Sequence, residues 1–518
     1  MPEFSRRTFL KFLGGSTAIL GMGISRNAWA QRGGAKAMTV SGKILETDVA
    51  IIGGGAAGLA AAISAAERGA NVIVFEKAGR TGGAGNMASG IFAAESKMQI
   101  VKQLPLTREE AFKIHMDWTH WRVDAKLVKA YIDKSASTID WLEKMGVEFT
   151  GFSEFGARSP QRHDTAHVVK GSAVMASALA NKAKKLGVQI LLNAPIKKII
   201  EKGGRIAGVI SENETGESIQ VNSGAVIVAT GGFSDNPDWV KKYTGFESGK
   251  NLFPMSISGL TGDGIRISWE VGAAATEMVM PIMQNVSCMG YEAIETSFLQ
   301  PTLVVNLSGE RFINEDIIAR NSTLTANALA QQKKKLAFSI IDEDIKNYYG
   351  EIGWDIPVTR LFGEPVTKAS DFNSELEQAI SQKSEDIIRA YSLEELAMKT
   401  GINLGSLKNT VDEYNISCQT GRDKLFNRNP KYLRPIIKPP FYCGKFLLRA
   451  TNSLGGIKIN HKTQVLNEDQ EIIQGLYAAG TDANAINGDT YIPFAGSMFG
   501  FAVNSGRIAG ENAAKYVS

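Results

Sequence analysis

The stretch from Asp48 to Glu76 constrains this chain more than any other. Four apolar residues, Val49 to Ile52, run into Gly53-Gly54-Gly55-Ala56-Ala57-Gly58. An alanine-rich segment follows, and Val72-Ile-Val-Phe75 ends on Glu76. The order is strand, glycine turn, helix, strand, acid. In a Gly-x-Gly-x-x-Gly unit the first glycine allows the tight turn, the second lets backbone approach a pyrophosphate, and the third lets helix and strand pack closely. Free N–H groups and the dipole at the helix N-terminus favour the phosphates. Glu76 follows Gly58 by 18 residues, near the ~20-residue spacing of an acid that bonds a ribose hydroxyl. The chain is therefore read as binding a dinucleotide.

Residues 1–30 read as an address. Ser5-Arg6-Arg7-Thr8-Phe9-Leu10-Lys11 has the form of a twin-arginine export signal, with an apolar run from Phe12 to Ile24 and a small-residue cleavage site at Ala28-Trp29-Ala30. The run is too short for a spanning helix, and no cysteine at the cleavage site suggests a lipid anchor. Export in the folded state to the periplasm is expected, which removes soluble NADH as an electron donor. Without this leader, which holds Arg6, Arg7, Lys11 and Arg26 against Glu3, the net charge falls from +4 to about +1. Nothing then supports nucleic-acid binding, and membrane association is expected only through a partner. Lys333-Lys334-Lys335 reads as a solvated helix end.

Cys288, Cys418 and Cys443 are widely spaced, with no Cys-x-x-Cys and no Cys-x-x-Cys-His. That excludes a cysteine-built iron–sulfur or zinc set and a c-type haem. Buried free thiols are the expectation, and no metal site is assigned. His115 and His120, in helical segments over 107–146, are expected to be exposed. The polar segment from Arg158 through Arg162 and His163 to His167 is a candidate pocket wall and a weaker metal candidate.

The fold class expected is α/β: a Rossmann-like, discontinuous nucleotide-binding domain with an inserted α+β cap. Its parts are 44–274, the cap over 275–435, and 436–518. The loop Gly82-Gly83-Ala84-Gly85-Asn86-Met87-Ala88-Ser89-Gly90 suits close approach of backbone to a flat ring or pyrophosphate. A helix is read over 171–185 and a strand over 188–192. A buried strand is read from Val221 into the Thr230-Gly231-Gly232 turn, where ligands bind at strand carboxyl ends. The cap is read as helical near 321–345 and 376–416, with few strands. A strand at 475–478 then leads to Ala479-Gly480-Thr481-Asp482, and a helix begins near Ser497.

These residues resemble the flavoprotein subunits of fumarate reductase and succinate dehydrogenase, most nearly the soluble exported fumarate-reductase-like proteins. The likeness is carried by Gly53–Glu76, Gly82–Ile91, Val228-Ala229-Thr230-Gly231-Gly232-Phe233, and Asn306-Leu-Ser-Gly309-Glu-Arg311-Phe312-Ile-Asn314-Glu315 followed by Arg320. Leu454-Gly455-Gly456 and Tyr477-Ala478-Ala479-Gly480 add to it. The resemblance implies FAD and hydride exchange between the flavin and a carbon–carbon double bond. It assigns to the cofactor Gly53, Gly55, Ala56, Ala57, Gly58, Glu76, Lys77, Gly82, Gly83, Ala84, Ala88, Ser89, Gly90, Ala229, Thr230, Gly231, Asp263, Gly480, Thr481, Asp482, Ser497 and Met498. No histidine lies in the Gly82–Ile91 loop, so FAD is expected to be non-covalent.

For catalysis the resemblance places Arg320 as the proton donor to the α-carbon. An arginine stays protonated in proteins, so a donor role needs a relay, for which Glu315 and Glu295 are candidates. Otherwise Arg320 polarises the substrate. The family's carboxylate ligands are missing. Asn452 stands where a histidine belongs, Pro493 where an arginine belongs, and residues 279–290 hold no histidine. A buried dianion needs paired charges, so fumarate and succinate are disfavoured as substrates. Thr490-Tyr491-Ile-Pro-Phe494 also resembles the ketosteroid dehydrogenases. Tyr491 there either hydrogen-bonds a substrate ketone or is a buried aromatic with its hydroxyl on backbone.

Three functions follow as expectations. The first is an exported FAD-dependent reductase of an α,β-unsaturated acid or enone other than fumarate, fed by a separate quinol dehydrogenase or cytochrome. The second is a dehydrogenase introducing a double bond into a cyclic ketone. The third is a flavin electron-transfer subunit.

Overall fold

The computed structural model describes residues 44–104, 106–153, 165–212, 216–287, 291–356, 369–382 and 384–518. The leader, Arg158, Arg162, His163 and Cys288 lie outside the described residues. In chain order the main elements are β1 (Ile44–Ile52), α1 (Ala56–Ala66), β2 (Val72–Phe75), α2 (Arg108–Trp118), α3 (Ala125–Glu143), α4 (Ser172–Lys185), β3 (Gln189–Leu191) and β4 (Ser218–Val228). A second group follows with β5 (Met283–Val286), β6 (Leu303–Asn306), α5 (Ser322–Ala330), β7 (Ala337–Ile341), β8 (Ile387–Ala390) and β9 (Phe441–Ala450). Last come β10 (Ile472–Ala478) and α6 (Ser497–Val517).

The first sheet is parallel at its heart, in the order β10-β4-β1-β2-β3. The chain moves outward from β1 to β2 and β3 on one side, then to β4 and β10 on the other. The crevice between β1 and β4 is the switch point where such sheets bind ligands. Val49 to Ile52 are all buried, as expected of a parallel strand covered on both faces. Helix α1 is alanine-rich because it has no room for more: Ala56 to Ala65 are all buried. A Cβ on Gly506 or Gly510 of α6 would stand 2.2 or 2.1 Å from the carbonyl oxygen of Ala57 or Ala61. The two helices therefore cross in backbone contact.

The second sheet is built around β9, which pairs antiparallel with β5, β7 and β8 and parallel with Phe253–Pro254. It draws strands from 253–254 and 441–450 as well as from 275–435. One expectation changes here. Among its described residues the segment 275–435 holds four short strands, all in this sheet, and the helical stretch read over 321–345 is broken by β7. All five residues of β7 are buried between β6 and β9, so no alternation marks them as a strand.

His115 is also corrected, being buried at 0% exposure, whereas His120 is exposed. Helix α2 turns His115 inward, where its Nε2 lies 2.6 Å from the Ile486 carbonyl. His167 is buried too, 2.6 Å from the Ser96 hydroxyl, which makes it a packing residue rather than a metal ligand. Cys443 is a buried free thiol, and Cys418 is free and half-buried.

Candidate active site

The dinucleotide cradle is shaped by what its glycines exclude. Gly53 has φ +109°, and a Cβ there would meet the Ala229 carbonyl oxygen at 2.2 Å. On Gly58 it would meet the Gly53 carbonyl oxygen at 1.9 Å. Gly55 differs, with nothing within 4 Å of its would-be Cβ. Its bareness leaves space for something outside the protein to approach. Gly55 also caps α1 without a side-chain bond, and the first turn holds no acid. The leading N–H groups are thus left for an anion.

Around this point the other predicted residues gather. Glu76 accepts hydrogen bonds from the Gly54 N–H at 2.7 Å and the Ala78 N–H at 2.8 Å, which holds its carboxylate at the strand end. Lys77 reaches Asp263 at 2.6 Å and the Thr261 hydroxyl at 2.9 Å. Burial pushes the Asp263 carboxyl up, but Lys77 and Thr261 outweigh it and hold it below the usual range. The Gly82 N–H donates to the Gly54 carbonyl at 2.9 Å, which lays Gly83, Ala84 and Gly85 beside Gly55 and Ala56. Ala88, Ser89 and Gly90 continue this loop into a short strand, where Ser89 accepts from the Val169 N–H at 3.1 Å.

Asp482 is buried and shapes the opposite wall. Its carboxylate accepts from the N–H of Thr230, from the Thr230 hydroxyl at 3.0 Å, and from the N–H groups of Gly231 and Gly232 at 3.1 and 2.9 Å. It builds the Ala229–Gly232 turn from behind. Gly480, at φ +72°, donates to the Ser505 hydroxyl at 2.9 Å, while Thr481 packs under Gly232. Ser497 and Met498 open α6, again without a side-chain cap. Met498 sulfur accepts from the amides of Asn484 and Asn487 at 3.6 and 3.5 Å. Open space at Gly55, an uncapped helix start and an acid 18 residues beyond Gly58 together fit a dinucleotide such as FAD.

Arg320 immediately precedes Asn321, the N-cap of α5, and donates to the Tyr432 hydroxyl at 2.9 Å. The Tyr432 carbonyl accepts from Arg428 at 2.9 Å, and Arg428 donates to the Tyr414 hydroxyl at 2.9 Å. Arg428 is 0% exposed.

Glu315 is engaged by two arginines of this cluster. Both its oxygens take Arg311, at 2.8 and 2.6 Å, and Arg428 stands 3.7 Å away. Arg311 is shared with Asp423 at 3.0 and 2.9 Å. Glu315 is thus a buried strut. Glu295 behaves differently: burial raises its carboxyl to about 7, against the opposing pull of Arg449.

The Tyr491 hydroxyl bonds the Thr451 hydroxyl at 2.8 Å and also interacts with the Thr451 backbone, and burial raises its pKa. Helix α2 holds this loop twice, through His115 at Ile486 and through the Trp118 indole, which donates to the Tyr491 carbonyl at 3.0 Å. Asn452 follows Thr451, and Ile492 and Phe494 are buried on either side of Pro493. A cavity of about 670 Å³ lies against Met278, Met280, Ile282 and the α5 residues Asn327 and Ala330, with Trp269 on its wall and Asp489 at its edge.

Tyr432, Arg428, Asp423 and Thr451 were not foreseen, nor was Ser453, whose hydroxyl accepts from the Phe233 N–H at 2.7 Å behind the Ala229–Gly232 turn. The only available signal was the hydroxyl-bearing Thr451-Asn452-Ser453 run ahead of Gly455. The aromatic and charged residues of 423–432 carry no motif.

Residues 48–492 match the family model described as FAD binding domain. The chain is 34% identical over 488 residues to a vinyl phenol reductase of Lactiplantibacillus plantarum, covering 90% of this chain and 96% of that protein. It is 28% identical to a fumarate reductase (cytochrome) of Shewanella frigidimarina, covering 90% of this chain and 77% of that one. A solved 3-ketosteroid-Δ4-(5α)-dehydrogenase from Rhodococcus jostii RHA1 superposes with a TM-score of 0.72. At 23% identity, over 92% of this chain and 99% of that one, it shows likeness of fold.

Proposed function

The chain belongs to the FAD-binding-domain family as an FAD-dependent oxidoreductase acting on carbon–carbon double bonds, and from that premise we propose that it reduces the conjugated double bond of a substrate other than fumarate, an α,β-unsaturated acid or enone of low charge. One observation carries this. The positions that fumarate chemistry reserves for carboxylate ligands hold Asn452 and Pro493, and beside them stand the neutral Tyr491–Thr451 hydroxyl pair and buried Phe494. A dianion there meets groups that cannot neutralise it. The likeness to a vinyl phenol reductase supports the same direction.

FAD, when bound, supplies the hydride. The protein does the rest. Gly55 and the α1 N-terminus take the pyrophosphate, Glu76 the ribose, and the Gly82–Gly90 loop the flat ring, without a covalent link. Arg320 holds a proton at its guanidinium beside the substrate's α-carbon, and Tyr432 fixes its direction. The reverse reaction on a cyclic ketone is the second reading, favoured by the Tyr491 hydroxyl. We also propose export to the periplasm by the twin-arginine leader, and electrons delivered by a separate quinol dehydrogenase or cytochrome.

The test is oxidation of reduced methyl viologen by the purified flavin-loaded protein. The acceptors are fumarate, aryl and alkyl enoates, a vinyl phenol and cyclic enones. Turnover of monocarboxylic or neutral acceptors with none of fumarate is expected. Rapid fumarate turnover refutes the substrate assignment.

A further inference from the structure

Two acids stand side by side ahead of Arg320, and their surroundings treat them differently. Glu315 is saturated by Arg311 through both oxygens. The Asp316 side chain is 16% exposed, and its buried Oδ1 lies 3.3 Å from Arg428 Nε, yet neither atom makes a hydrogen bond. The aligned bond of Asp316 is at its other oxygen, where Oδ2 accepts from the Asn429 N–H at 2.7 Å. Asn429 is the N-cap of the short turn Pro430–Tyr432, and its side chain accepts from the Lys431 N–H at 3.1 Å. The N–H of an N-cap residue is ordinarily satisfied from within its own helix, by the acid of a capping box. Here an acid 113 residues earlier satisfies it.

The turn that Asp316 anchors is the one that presents Tyr432, whose hydroxyl accepts from Arg320 at 2.9 Å. Asp316 also belongs to the turn Glu315–Ile317, and the Ile317 carbonyl accepts from the Arg320 N–H at 3.0 Å. A closed circuit results. It runs from Arg320 to Tyr432, along the chain to Asn429, across to Asp316, and along the chain back to Arg320. Asn314 ties the same two segments again by donating to the Phe426 carbonyl at 2.9 Å. Burial raises the Asp316 carboxyl, and Arg320 is among the cations that pull it down, so the two side chains lie within each other's field.

Resting on the reductase function proposed above, we infer that Asp316 is a positioning residue for Arg320: its Oδ2 holds the turn Pro430–Tyr432 in the place from which Tyr432 aims the guanidinium. The acceptor oxygen does this, not the charge. Glu315 secures the fold, and Asp316 secures the direction of the proton donor.

The test compares Asp316→Ala with Asp316→Asn in the flavin-loaded protein. Asparagine keeps an acceptor for the Asn429 N–H and alanine does not. Both remove the charge beside Arg428, so both variants should melt below wild type. Turnover is read with whichever conjugated acceptor of the panel the wild type reduces. For Asp316→Ala, kcat should fall about fivefold with KM unchanged, the worth of one hydrogen bond. Asp316→Asn should stay within about twofold of wild type, and Asp316→Ala combined with Tyr432→Phe should be no slower than Tyr432→Phe alone, because the two act along one path. Asp316→Leu repeats the test should the alanine variant not fold. A readout free of turnover is the fluorine NMR resonance of fluorotyrosine at Tyr432, identified by its loss in Tyr432→Phe. It should move in Asp316→Ala toward its position in Arg320→Ala, and stay near its wild-type position in Asp316→Asn. The inference is overturned if asparagine restores neither rate nor resonance, if the losses in the double variant multiply, or if KM rises as kcat falls. A resonance that moves as expected in a protein that reduces none of the acceptors sustains the role of Asp316 and sinks only the reductase function. Turnover by the wild type with the resonance unmoved in Asp316→Ala does the opposite.

Discussion

Replacing Glu315 by glutamine keeps the shape of the side chain and removes its charge from a site with 0% exposure. Two arginines feel the change. Arg311 retains Asp423, at 3.0 and 2.9 Å, and so loses one of two carboxylates. Arg428, also 0% exposed, retains Asp316 at 3.3 Å, an acid 16% exposed. Removing one partner of a buried pair costs about 3–5 kcal/mol. With Asp423 still compensating Arg311, the lower figure applies, about 3 kcal/mol. Unfolding entropy near 2.1 cal/mol/K per residue gives roughly 1 kcal/mol per kelvin over a chain of this length. The melting temperature of the holo-protein should then fall by about 3 °C, a loss a domain of ordinary stability survives. Differential scanning calorimetry reads that drop, and steady-state turnover of the folded variant at 25 °C should stay within about twofold of wild type. The opposite pattern refutes the strut: turnover down by about a hundredfold or more with an unmoved melting temperature would put Glu315 on the proton path.

Tyr432→Phe removes the hydroxyl that fixes Arg320 at 2.9 Å. kcat should fall by about tenfold, near the worth of a hydrogen bond to a charged group, while KM stays constant; an equal rise in KM would assign Tyr432 to substrate binding instead. A Cβ at Gly55 meets no atom within 4 Å, so Gly55→Asp should fold, but it sets an anion at the α1 N-terminus where the pyrophosphate would sit. The purified variant is expected to lack the flavin's visible absorbance, and full flavin content would displace the cradle from Gly55. Burial lowers His115 and His167 to about 4. Unfolded histidines near 6.5 bind protons that the folded ones refuse, so stability is full above that value and is lost as pH falls toward 4. Each contributes a slope of about 1.4 kcal/mol per pH unit, and Glu295, raised to about 7, opposes one of them by taking up a proton in the folded state. Urea unfolding between pH 6.5 and 4 should lose one histidine's share of the slope in His115→Gln, and an unchanged slope would show that His115 titrates normally.

What could be read from residues alone follows from how locally each feature is encoded. The cradle was legible because one continuous stretch carries it: Gly53 and Gly58 are backbone requirements, visible wherever the chain must turn or approach another backbone, and Gly55 leaves open space between them. Elements with a clear period were legible too, such as α4 and α6. β7 was not, because a strand buried on both faces shows no alternation, and Ala-Phe-Ser-Ile-Ile reads equally as one turn of a buried helix. His115 was misplaced because its partner, the Ile486 carbonyl, lies 371 residues away. Tyr432 reaches Arg320 only because the chain returns after 112 residues. Glu315 shows the sharper limit. Its spacing from Arg311 is that of a surface ion pair on a helix, its motif suggests chemistry, and only its burial against Arg428 and beside Asp423 decides between them. Motifs name the residues that matter, whereas the division between groups that move protons and groups that hold the movers in place is written in contacts distant along the chain. For that reason Tyr432, which belongs to no motif, is the better candidate for steering Arg320 than the motif's own glutamate.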